Sequence, residues 1–63
     1  MTGNRLLDLV RLEGQKVGIS LIDGSRMDDC HLVFAGRDRV WVYVNGHDEF
    51  VSSTTVSDFW ETY

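Results

Sequence analysis

Cys30 and His31 stand side by side, a thiol next to an imidazole, and they are the first residues that invite a nucleophile–base reading. Adjacent residues on an extended chain point to opposite faces, so on a strand the two cannot face one site. Cys30 shares its alternating phase with Leu32 and Phe34, and free cysteine commonly serves as a small core hydrophobe. Asp28-Asp29 (with Asp23 nearby) and Asp48-Glu49 beside His47 are the carboxylate clusters. Neighbouring strand carboxylates diverge, and a calcium loop needs several oxygens from one compact turn with a glycine at its sharp bend. Both clusters therefore read as solvated strand or hairpin ends that deter edge pairing. Cys30, His31 and His47 are the only soft ligands and show no zinc spacing, so neither metal nor cofactor is expected. Gly24, Gly36 and Gly46 each stand alone, which makes no phosphate-binding loop. A small barrel also has little room for a ligand pocket, and the expectation is a protein that is not an enzyme.

The aromatic residues carry the other chemistry. Trp41 and Tyr43 lie on one phase of an apolar run, with Val40, Val42 and Val44 on the other. A thin barrel has one interior, so one of the two sets must be covered by the N-terminal segment, by Phe59-Trp60, or by another molecule. Exposed aromatics flanked by charge are common anchors of protein contacts. The expected interface is Trp41, Tyr43, Phe50, Val51, Phe59 and Trp60, for self-association into a homo-oligomer or for docking on another protein. Aromatics on small barrels also stack single-stranded bases, and the alternative places Arg37 and Arg39 on phosphate.

The elements that must position these residues follow from periodicity. Leu6, Leu9, Val10 and Glu13 recur at helical spacing, with Leu7 and Leu12 widening the stripe. Asn4 or Thr2 supplies a cap and Gly14 a left-handed stop, which predicts a helix over roughly residues 4–13. The period then changes to two: Val17, Ile19 and Leu21 alternate with Lys16, Gly18 and Ser20, and Asp23-Gly24 marks a hairpin. Residues 26–35 return with a polar first half and an apolar second half, a pattern that asks for a bend or bulge. A β-branched and aromatic strand follows the Gly36–Arg39 turn, and Asn45-Gly46 closes a second hairpin. Strands are expected over roughly 15–22, 26–35, 39–45, 48–52 and 57–61. The last stretch has two readings. Val56, Phe59, Trp60 and Tyr63 suit a helix, whereas Phe59, Trp60 and Thr62 suit a closing strand after a 3₁₀ turn at Thr54–Val56; the strand is preferred.

Sixty-three residues make one domain, mainly β, close to the lower limit for independent folding. With one cysteine there is no internal disulfide, a reducing compartment is the natural home, and a partner chain is the remaining common source of extra stability. Six basic and ten acidic residues leave a net charge of −4, which disfavours nucleic acid unless positive charge is concentrated locally. No apolar run approaches the roughly 18 residues of a membrane span, and no signal-peptide pattern opens the chain, so the expected location is cytoplasmic and off the membrane.

A helix ending at Gly14, the strand Lys16–Ile22 with its Asp23-Gly24-Ser25 turn, a long bent strand, two further strands, a 3₁₀ turn and a closing strand up to Trp60 form an order that resembles the Sm-like branch of the SH3-type small barrels. The resemblance spans nearly the whole chain and implies a five-stranded open barrel with a short N-terminal helix, and edge-to-edge assembly. Members that bind RNA carry an Asn between strands two and three and a basic-Gly element between strands four and five. Here Gly36-Arg37-Asp38-Arg39 and Ser52-Ser53-Thr54-Thr55 fill those places with neither, which turns the expectation towards protein contact.

Overall fold

A computed structural model describes residues 3–62, with side chains from Arg5 onward. The order is α1 (Gly3–Val10), β1 (Lys16–Leu21), β2 (Arg26–Ala35), β3 (Arg39–Val44), β4 (His47–Ser52), a 3₁₀ turn (Ser53–Thr55) and β5 (Val56–Glu61). All strand pairs are antiparallel and form one open sheet in the order β4-β3-β2-β1-β5. The fold is mainly β with a short N-terminal helix, as the patterning implies.

α1 is shorter than the expected 4–13. After Val10 the chain tightens into three-residue turns, Leu12 N–H to Leu9 O and Glu13 N–H to Val10 O, and Gly14 stops it at φ +86°. The physical reason lies beyond the helix. Gly14 N–H donates to Leu32 O, Leu32 N–H donates to Gln15 O, and the Glu13 carboxylate accepts from Ala35 N–H, so β2 takes up the groups of this turn. Leu9 is fully buried, and Leu6, Val10 and Leu12 pack around the core. Leu7, expected to widen the buried stripe, is 60% exposed. Of the two expected caps, Thr2 and the side chain of Asn4 lie outside the described residues, as does Tyr63.

β2 curls the sheet with two bulges. Val17 faces Cys30 and Ile19 faces Met27, so Asp28 and Asp29 together oppose Gly18, and Asp29 takes φ +56°. Farther on, Leu32 faces Val42 but Phe34 faces Trp41, which leaves Val33 as the extra residue. The first half of β2 thereby pairs with β1 and the second with β3. The expected bend is present, and its second bulge corrects the phase reading. Cys30 and Leu32 are inside, but Val33 resets the alternation, so Ala35 is buried and Phe34 is turned out.

The interior is formed by Val17, Ile19, Cys30, Leu32, Val40, Val42, Val44 and Val56 under Leu9. The valine phase of β3 is the buried one. At the β3–β4 turn both Asn45 (φ +53°) and Gly46 (φ +82°) adopt the left-handed conformations of a tight hairpin. The last segment is strand β5, paired with β1 from Val17–Glu61 to Leu21–Val56, and the helical reading of Val56–Tyr63 fails over the described residues. Its 3₁₀ turn begins one residue earlier than expected, at Ser53. A Phe59/Trp60 strand gains a full ladder along β1, which a lone terminal helix would not.

Candidate functional site

The outward face of β2, β3 and β4 is where apolar surface gathers. Cross-strand partners share a face, so Phe34, Trp41 and Phe50 form one row across three strands. Trp41 and Phe50 stack with centroids 5.5 Å apart and planes 27° from parallel, an arrangement worth about 0.5–1.5 kcal/mol beyond burial. The indole N–H of Trp41 donates to Asp48 Oδ1 at 3.0 Å, which ties the ring to β4. Phe34 leans over Gly36, where an added methyl would stand 2.8 Å from the ring. Phe34 and Phe50 remain 51% and 55% exposed. Two residues further along β3, Tyr43 continues the face, exposed and opposite His31 and Asp48.

Beside this row lies an open groove of about 430 Å³ lined by Phe34, Gly36, Trp41, Phe50 and the turn Arg37-Asp38-Arg39. Ser53, buried, holds that turn: its hydroxyl donates to Gly36 O at 2.6 Å and its N–H donates to Asp38 O at 3.0 Å. Among the described residues Arg37 and Arg39 make no ion pair, whereas Arg5, Arg11 and Arg26 each do. The structure thus brings Trp41, Tyr43 and Phe50 together with Arg37 and Arg39. It adds Phe34, which sequence reasoning assigned to the buried phase; the only signal for its exposure was the polar-to-apolar change along β2.

The other expected interface residues sit elsewhere. Val51 is half-buried against the core from the opposite side of β4, and Phe59 is half-buried against the core with the Arg5 guanidinium 4.8 Å above its ring. Trp60 lies flat over Gly18 on β1, with Arg26 stacked 5.1 Å from its ring. Arg5 also bonds Asp58 at 2.6 Å and the Ser57 carbonyl at 3.1 Å. That hydrogen bond holds the Asp58 carboxyl below its ordinary pKa. The chain matches no known protein family and no curated protein.

The remaining titratable groups that the sequence singled out lie apart from this face or point away from one another. Cys30 is fully buried, and burial, reinforced by the Asp28 and Asp29 charges, pushes its thiol pKa up, away from the thiolate that chemistry needs. His31 is exposed on the outer face, so the two neighbours do point apart. His47 bonds Glu49 at 2.8 Å at the start of β4, and that bond holds its pKa above the usual imidazole value. Among the described residues no group of three or more His, Cys, Asp or Glu is placed to hold a metal, and no helix is long and apolar enough to cross a membrane.

Proposed function

We propose that this protein is a non-catalytic interaction module that contacts protein partners through the outer face of β2–β4. The observation that carries the reading is the exposed row Phe34, Trp41 and Phe50, held rigid by stacking, by the Trp41–Asp48 bond and by the Ser53-anchored turn. Apolar surface ordered in this way binds without a further entropic cost of arranging its own side chains. The element order, with its N-terminal helix, bent β2 and 3₁₀ turn before β5, supports placement in the Sm-like branch of the small barrels. The single, reduced cysteine suits a cytoplasmic setting.

The test compares wild type with Phe34→Ser/Phe50→Ser. Both side chains are half exposed, so the double variant should stay folded with a midpoint lowered only modestly by loss of the Trp41–Phe50 stack, while losing self-association and every interaction captured from the native host. If wild type neither self-associates nor retains anything that the variant releases, the reading is wrong.

A second reading has its own observation: Arg37 and Arg39 line the same groove as the aromatics and make no ion pair among the described residues. A base stacked on Phe34 or Trp41 with phosphate on the arginines would fit that lining. Binding of a single-stranded oligonucleotide would then weaken steeply as salt rises, and no binding at low salt would exclude it.

A further inference from the structure

The outer face of β2–β4 is ordered in three rows along the strand direction. Arg39 begins β3, with Arg37 in the turn beside it. Next comes the aromatic row of Phe34, Trp41 and Phe50, and beyond it the row of His31, Tyr43 and Asp48, whose one full charge is the Asp48 carboxylate. Residues two apart on a strand share a face, so Arg39, Trp41 and Tyr43 point the same way, as do Phe50 and Asp48. The backbone positions of the Arg39 and Asp48 rows therefore lie about 13 Å apart, one on each side of the aromatics, with Asp38 in the turn beside the arginines and the Asp48 carboxylate reaching back to the Trp41 indole.

We infer that the occupant of this face is a second copy of the chain, packed sheet to sheet about a two-fold axis through the Trp41–Phe50 row. The inference rests on the interaction-module reading above. Its argument is charge symmetry. A two-fold axis reverses the row order of the partner, so the aromatic row meets itself while each Arg39 meets the Asp48 of the other copy. A surface with opposite charges on either side of an apolar centre is complementary to itself under that operation, which is what a two-fold interface requires. Other placements lose this match. A translated copy sets aromatics against charge, and a polyanion leaves Asp48 facing phosphate on a chain whose net charge is already −4. Edge-to-edge pairing, which the fold resemblance implies, leaves the aromatic face uncovered, and β5 begins with its Ser57 carbonyl and Asp58 already engaged by Arg5.

Charge-swap variants test this geometry, with oligomeric state read by sedimentation equilibrium at moderate salt. Wild type is expected to contain two chains per particle. Asp48→Lys gives two cationic ends and Arg39→Glu two acidic ends, so each alone should dimerise at least tenfold more weakly. Mixed in equal amounts, the two should form a heterodimer, and Asp48→Lys/Arg39→Glu in one chain should restore the homodimer. The heterodimer also shows that both variants are folded. Single variants that dimerise like wild type, a mixture that stays monomeric, or particles of more than two chains would each overturn the inference. A monomeric wild type would overturn it too. If that monomer still captured another protein in a way lost with Phe34→Ser/Phe50→Ser, the broader reading would stand; if not, both would fall.

Discussion

Gly18 and Trp60 face each other across β1 and β5, and the indole occupies the space that a side chain at 18 would need. Gly18→Ala is expected to expel the ring, at a cost of about 1–3 kcal/mol typical of overpacking, and to shift tryptophan emission towards the solvent-exposed value. An unchanged emission maximum and unfolding midpoint would mean that the indole does not rest on β1. Arg5 and Asp58 tie the N-terminal helix to the same strand. The folded carboxyl titrates below its ordinary value of about 3.9, so the Arg5 contact stabilises the fold above that pH and is lost as pH falls through the depressed pKa. In Arg5→Met the Asp58 pKa should rise towards the ordinary value, with the Phe59 N–H bond to its carboxylate still holding it somewhat low, which a carboxyl-carbon NMR titration reads directly.

The 3₁₀ turn and the β2–β3 turn behave as one element because Ser53 bonds the second through both its hydroxyl and its N–H. Ser53→Ala keeps the N–H bond but leaves the half-buried Gly36 carbonyl without its hydroxyl donor. A loss of about 1–3 kcal/mol is expected, with faster amide exchange confined to Gly36–Arg39 and Ser53–Thr55. Uniform acceleration across the sheet would indicate that the two turns are not coupled. The consequence reaches the groove, since Arg37 and Arg39 are placed by this turn. The bulge at Val33 acts at the same scale: one extra residue exposes Phe34, closes the aromatic row and puts Ala35 inside. Element existence was legible in the sequence, including the Asn45-Gly46 hairpin, the bend in β2 and the closing strand. The position of the bulge was not, because a one-residue insertion leaves the apolar content of β2 unchanged and shows only against the facing strand.

At the scale of the whole molecule there is one small core, capped by Leu9 and carrying Cys30 at its centre. That thiol is fully buried and burial raises its pKa, so its reaction with a thiol reagent should require global opening. Labelling rates are expected to follow global unfolding, rising with urea along the slope of equilibrium denaturation. Rapid labelling in native buffer would show that α1 detaches on its own. Under the proposed two-fold packing, labelling should also slow as protein concentration rises, because association stabilises the folded chain.

The sequence by itself determined the order of most elements and the two alternating phases of β3, since period-two alternation and turn dipeptides act within a few residues, while the structure decided that the valine phase faces inward and that the last segment is a strand. It also determined that the thiol and imidazole of Cys30-His31 diverge, because alternation alone separates them. It marked Trp41, Tyr43, Phe50, Arg37 and Arg39 as the residues open to contact. Only the tertiary structure decided that these five share a surface with Phe34, while Val51, Phe59 and Trp60 cover the core or β1. The reason is that side-chain neighbourhood in a sheet depends on register, and register is set by bulges and by pairing between strands far apart in the chain. The order of charge, aromatic and acid along that face follows from the same pairing.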